Sequence, residues 1–240
     1  MTTNHEDELA KRAWTAAYKG EPDDREPPDV VRECLAVGMD INARAWSKGG
    51  PTALDGAIYG HGGSRIDIVR YLLDEGADPN AFGYEDGTML MGAALVSNIA
   101  AIELLLQRGA DPNLTHPTTL EGPLHWLTAK GFGEDSNAAA RLLLDAGANP
   151  NAKAAVGIAT SVYYRDITVI GETPLHRAAA YCDGEMIQML IEAGADPRIK
   201  DSHGESPLTW FSRHQRSVDY VKVARSYGKL LAYGGWNDRV

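Results

Sequence analysis

Two histidines, His125 and His176, stand in near-copies of one motif, "GPLHWL" (122–127) and "ETPLHRAA" (172–179). Histidine is the side chain best suited to move protons near neutral pH, so both are candidate general bases. That chemistry needs a nucleophile or an orienting acid beside the ring. Ser, His and Asp are all present, but no spacing in the chain brings a triad together. "HEDEL" (5–9) begins like a zinc-protease helix and lacks the second histidine. His61, His116, His203 and His214 form no pair at helical spacing, and Cys34 and Cys182 have no close partner, so no metal or disulfide framework is expected. "YGHGGSRI" (59–66) is the one Gly-rich loop. Backbone N–H groups of such a loop can cradle phosphate, but it follows no predicted strand and carries no P-loop lysine. No G-x-S-x-G elbow accompanies it. The residues point to no catalytic site and no cofactor.

The chain that must position these residues has 240 of them, 44% apolar, with 23 Lys and Arg against 33 Asp and Glu. That is ample apolar content for a packed core. A formal charge of −10 repels phosphate backbones, which argues against nucleic acid and favours a basic protein partner. One stretch runs the other way: residues 206–240 hold Arg213, Arg216, Lys222, Arg225, Lys229 and Arg239 against Asp219 and Asp238, the pattern of a solvated basic helix face. The first residues, "MTTNHEDELAKRAW", lack the apolar core of a signal peptide, and no apolar run is long enough to cross a bilayer. The expectation is a cytoplasmic protein that is monomeric and makes no membrane contact.

An internal repeat organises the chain. Six times an apolar residue at x is followed by others at x+3 and x+4 and by Gly at x+7, as in Val69/Leu72/Leu73/Gly76, Ile102/Leu105/Leu106/Gly109 and Ile187/Leu190/Ile191/Gly194. The spacing lines one helical stripe, and the Gly supplies the left-handed residue that ends the helix. "GADPN", "GANPN" or "GADPR" follows at four of these sites. Their Asp or Asn bonds the turn backbone and their Pro blocks continuation, so the acids are turn residues rather than a catalytic pair. A capping Thr or Ser with Pro in the first turn opens the preceding helices at 51–57, 87–94, 122–127, 172–179 and 205–211, with variations.

The T-P-L-H-x-A signature, the "LLxxGADPN" helix ends and the near-33-residue period resemble ankyrin repeats over roughly residues 28–235. The resemblance implies an all-α solenoid of about six helix-turn-helix units whose connecting turns project from one edge as fingers. It divides the chain into an N-terminal cap unit (7–49), repeats at 50–81, 82–114, 115–152 and 153–198, and a C-terminal cap unit (199–240). "EDELAKRAWTAAYKG" is then the outer helix of the first cap and "EPDDREPP" an enlarged interhelical loop. It also implies that His125 and His176 tie each Thr-Pro turn to a neighbouring repeat instead of catalysing, and that the Gly-His of 60–61 is an ordinary interhelical turn. Asp55 and Met91 stand where the family has His, and Gly122 stands where it has Thr, which removes the hydroxyl partner of His125.

The family is one of non-enzymatic modules that bind proteins, and three features bear on how this chain would do so. Trp46, Phe82, Tyr84, His116, Tyr163, Tyr164 and Arg165 lie in segments expected to project as fingers. Aromatic residues and Arg are enriched at interface hot spots. Trp126, Arg177 and Tyr181 follow the TPLH-like turns and are expected on the concave helix face. The alternative for the finger aromatics is packing against the next repeat. Finally, the step from Gly147 to Gly194 is about 14 residues longer than the family period, and the excess falls in 152–171. Its β-branched and aromatic content predicts an elongated hairpin over Val156–Ile170. The expected function is protein binding through fingers and concave helices, with inhibition of a partner enzyme by covering its active site as the alternative.

Overall fold

The computed structural model describes residues 3–19, 27–46, 50–60, 65–130, 134–160 and 168–214. Eleven α-helices, one short 3-10 turn and one two-stranded hairpin make up the regular structure of these residues. They fall into two compact units, Met1–Asp111 and Pro112–Val240. The first holds α1 (Thr3–Lys19), α2 (Pro27–Ala36), α3 (Ala53–Tyr59), α4 (Ile66–Asp74), α5 (Met89–Leu95) and α6 (Ile99–Gln107). Here α1, α3 and α5 pack in one layer and α2, α4 and α6 in a second, each helix also meeting its partner across the layers. The second unit holds α7 (Pro123–Lys130), α8 (Glu134–Asp145), β1 (Val156–Ala159), β2 (Thr168–Ile170), α9 (Pro174–Tyr181), α10 (Gly184–Glu192) and α11 (Pro207–His214). In it α7, α9 and α11 form one layer and α8 and α10 the other. Both are stacks of antiparallel helix pairs, the all-α ankyrin solenoid architecture.

The first-layer helices start where the capping residues predict. Thr52 Oγ1 accepts from the backbone N–H of Asp55 at 3.2 Å while Asp55 Oδ2 accepts from Thr52 N–H at 2.8 Å. Thr88 and Met91 repeat the exchange, with the Met91 sulfur 3.4 Å from Thr88 N. The position that carries His in the fullest motif is thus the third helical residue, and Asp or Met there still reaches back to the cap. These helices are small-residue rich because they approach closely: a Cβ added at Gly56 would lie 2.9 Å from the Trp14 carbonyl oxygen of α1.

The second-layer helices end at Gly38, Gly76, Gly109, Gly147 and Gly194, all at φ between +89° and +97°. The following N–H returns to the helix, as Ala77 N does to Leu72 O at 2.9 Å, which satisfies carbonyls that would otherwise be orphaned. Beyond the glycines the turns are laced by asparagines. Asn80 donates to Gly109 O at 3.1 Å and accepts from Asp111 N–H at 2.8 Å. Asn113 does the same with Gly147 and Asn149, and Asn151 with Gly194 and Asp196. Each of these side chains satisfies two backbone groups of the next repeat.

Two expectations are refined. Pro27 and Pro28, assigned to a loop, open α2, consistent with the fixed φ of Pro in a first helical turn. The elongated finger is an antiparallel hairpin of β1 and β2, but its two-residue alternation is broken by a register shift between Val156 and Ile158, with Gly157 at φ +79°. The second helix of the C-terminal cap, the tip of the 59–66 loop and most of the basic 206–240 segment lie outside the described residues.

Candidate functional site

The root of the long hairpin is where the second unit concentrates its buried polar groups. Glu121 and Glu172 precede α7 and α9 at equivalent repeat positions, and Arg177 lies in the second turn of α9. All three are 1% exposed. Arg177 Nη2 sits 2.5 Å from Glu121 Oε1 and 2.5 Å from Glu172 Oε1, Nε adds 3.0 Å to the latter, and Nη1 donates to the His125 carbonyl at 3.0 Å. The outer carboxylate oxygens reach the hairpin. The Thr160 hydroxyl, just after β1, donates to Glu121 Oε2 at 2.8 Å, and Ile170 N–H of β2 donates to Glu172 Oε2 at 2.8 Å. One guanidinium therefore clamps two carboxylates, and each carboxylate holds one end of the finger.

Backbone bonds complete the root. Ala155 N–H donates to Thr119 O at 2.7 Å, Gly171 N–H to Ala155 O at 2.8 Å, and Ser202 N–H to Ile170 O at 2.8 Å. The hairpin is stitched to the finger before it and to the turn after it. Buried charges are costly unless paired. Both carboxylates are ion-paired with Arg177, which hydrogen-bonds Glu172 Oε1, whereas Glu121 Oε1 meets the guanidinium through charge alone.

Both histidines of the motif belong to the same wall. His125 Nδ1 accepts from Gly122 N–H at 3.1 Å and Nε2 donates to Glu172 O at 3.3 Å. The cap N–H bond is kept although the hydroxyl is missing. His176 Nδ1 accepts from Thr173 N–H at 3.1 Å and meets the Thr173 hydroxyl at 2.9 Å, while Nε2 donates to Glu205 O at 3.2 Å. Both ring nitrogens are occupied in each case, and both rings are fully buried. Burial first, and then the charge of Arg177, lowers the pKa of His125 to about 3. Burial likewise lowers that of His176. Neutral, enclosed imidazoles bridging repeats have no geometry for proton transfer to a substrate.

The expected contact residues divide. Trp46 is 49% exposed at φ +56°, edge-on to Trp14 at 4.8 Å between ring centroids. Phe82 is half-buried and bridged to Thr88, and Tyr84 opens a short 3-10 turn whose Glu85 and Asp86 both have positive φ. Tyr181 is half-buried at the end of α9. Tyr163, Tyr164 and Arg165 lie outside the described residues. Three expectations of exposure are corrected. His116 is buried because its Nδ1 accepts from the N–H groups of Thr118 and Thr119, folding its own turn. Trp126 is 3% exposed, within the packed layer. Arg177 is the centre of the clamp and presents nothing to a partner. Sequence reasoning missed Glu121 and Glu172, although the recurring Glu one residue before the cap, "EGPLH" and "ETPLH", was the available signal.

Comparison with known proteins agrees with this geometry. Ankyrin repeats in three copies match residues 90–201, and a further ankyrin repeat matches 49–84, more than half of the chain between them. The chain belongs to the ankyrin repeat family. Ankyrin repeats are protein-interaction modules, typically without catalytic activity. Among curated relatives, human ankyrin repeat and SOCS box protein 16 is 31% identical over 188 residues, 75% of this chain and 36% of that protein. Mouse cyclin-dependent kinase 4 inhibitor B is 44% identical over 72 residues, 28% of this chain and 52% of that protein. The chain spans about a sixth to about half of the length of the curated relatives it matches. In fold it is similar to a chain in the solved complex of Bd0816 predatory endopeptidase from Bdellovibrio bacteriovorus with immunity protein Bd3460. The TM-score is 0.65 and the identity 21%, over 91% of this chain and 97% of that one. No helix among the described residues is long and apolar enough to cross a membrane.

Proposed function

We propose that this ankyrin repeat protein is a non-catalytic binder whose fingers, with the Val156–Ile170 hairpin foremost, engage a partner protein. The observation that carries the reading is the contrast at the hairpin: its root is clamped by a buried Glu–Arg–Glu cluster, while Val156 of β1 is 61% exposed and Leu120 of the adjoining finger 47% exposed. A projecting element held rigidly from below loses little entropy on binding. Trp46, Phe82 and Tyr84 of the first unit, and Tyr163, Tyr164, Arg165 and Tyr181 of the second, remain the candidate contacts. A second reading makes the partner an enzyme whose active site the finger covers. The relatives include a protein named as a kinase inhibitor, and the similar fold comes from a complex of an endopeptidase with an immunity protein.

The test replaces residues 161–167 with a short Gly-Ser turn. Affinity purification with both proteins, then titration of the recovered partner, is expected to give an unchanged fold and at least about tenfold weaker binding, or about 1.4 kcal/mol. Unchanged affinity in a folded variant would move recognition away from the hairpin. If the recovered partner is an enzyme, steady-state inhibition by the intact protein, lost in the variant, selects the second reading.

A further inference from the structure

The chain as a whole is strongly acidic, but the exposed face at the hairpin root is not. Val156 Cγ2, Lys153 Cε and the backbone N of Ser202 converge on Gly171, at 3.3, 3.7 and 3.7 Å from where a Cβ would stand. Lys153 crosses to the next turn, its Nζ donating to Lys200 O at 2.9 Å, and both lysines are exposed. The Ala155–Thr119 bond joins this strand to the turn that carries Leu120, exposed at φ +55°. An exposed leucine held in a left-handed conformation is strained, and such strain gathers where function needs a side chain placed. Leu120, Val156, Lys153 and Lys200 are thus exposed residues of the segments that meet at the root.

Among the described residues, four carboxylates of the surrounding segments are turned inward or paired. Glu121 and Glu172 are sequestered by Arg177. Asp201 is buried and accepts from the Trp210 indole N–H at 2.8 Å. Asp196 is paired to Arg198 at 2.9 Å. Among the described residues neither lysine meets a carboxylate. Apolar side chains flanked by unneutralised ammonium groups complement an opposite pattern.

We propose that the hairpin root docks a partner segment bearing acidic residues beside aliphatic ones, the reverse of the basic partner that the net charge of −10 favours elsewhere on the surface. This rests on the reading of the fingers as the binding edge and specifies what they bind.

The probe is a library of short random peptides displayed on phage and selected against the immobilised full-length protein. Enriched peptides should combine Asp or Glu with Leu, Ile or Val. A synthetic copy of one, followed by fluorescence anisotropy, should bind more weakly as salt rises and lose at least about tenfold affinity to K153E/K200E. Circular dichroism monitors the fold, and K153Q/K200Q together with the salt titration of the unaltered protein decide the matter should the charge-reversed variant unfold. Neutral or basic enriched peptides, binding indifferent to the lysines and to salt, or no enrichment would overturn the proposal. Finger-dependent binding of non-acidic peptides would leave the finger reading standing. Acidic peptides that bind V156D and the 161–167 replacement unchanged would instead overturn both.

Discussion

Arg177 is the residue on which the second unit's buried electrostatics turn. Replacing it with Met removes the positive charge and leaves Glu121 and Glu172 enclosed without their counter-ion. Breaking a buried ion cluster from one side costs about 3–5 kcal/mol. R177M is therefore expected to lower the urea midpoint by that equivalent, and R177M/E121Q/E172Q to recover much of it. Equal stability of R177M and the parent would mean the cluster is solvated in solution. His125 and His176 add a pH dependence. Their native pKa values lie below the ordinary 6.5, so the unfolded chain binds protons that the native chain refuses. Stability is then fully present above about pH 6.5 and declines as pH falls below it, for His125 down toward about 3 at up to about 1.4 kcal/mol per pH unit. Urea titrations at about pH 7.5, 6.5 and 5.5, above the main carboxylate range, should show the fall, and a flat profile would contradict the neutral-histidine assignment. The bridging role of the two histidines was legible through the repeat motif, but the burial of Arg177 was not. Arg is usually exposed, and its burial here depends on two acids 56 and five residues away that only folding brings together.

Among the elements, the hairpin was readable as extra length of β-forming composition, while its attachment was not. Thr160 and Val169 are both buried, so the inner ends of the two strands belong to the packed unit. Excising 157–168 whole would strip Glu121 of its Thr160 bond, whereas an exchange confined to 161–167 spares it. Thr160→Val is the sharper probe. It keeps the shape and leaves Glu121 Oε2 without its donor, and should cost about 1–3 kcal/mol. Amide hydrogen exchange at β1 and β2 should quicken in this variant. Unaltered exchange would mean the backbone bonds to Thr119 and Ser202 suffice to anchor the finger. The capped helix starts and Gly stops, by contrast, were legible because each is a local device repeated at a near-constant period. Where Gly122 took the place of Thr, His125 kept the backbone N–H bond that His176 also makes.

At the scale of the whole molecule, stability is a sum of repeat terms and neighbour couplings. The asparagines carry part of that coupling: Asn151 joins the turn after α8 to Gly194 and Asp196, beyond α10. N151A removes two hydrogen bonds and is expected to cost about 1–3 kcal/mol. Because the loss falls on an interface between repeats, the denaturant transition should also broaden, with α10 and α11 exchanging amides sooner than α7. A uniform shift with no broadening would show that apolar packing alone sets the cooperativity. The period and the residues themselves were legible. That each Asn bonds forward was not, since the turn motif alone specifies only a local bond.

The clamp beneath the hairpin has a consequence for how this protein can change over generations. Because both strands are fastened at their bases, by Glu121 through Thr160 and by Glu172 through Ile170, the segment that joins them is expected to be under little selection for foldedness. Lineages can exchange the segment between the strands while the scaffold stays constant, so rival partners can be tracked by rapid drift in one short stretch. A deep mutational scan scored for abundance should record this as tolerance across 161–167 beside near-invariance at Glu121, Thr160, Glu172 and Arg177.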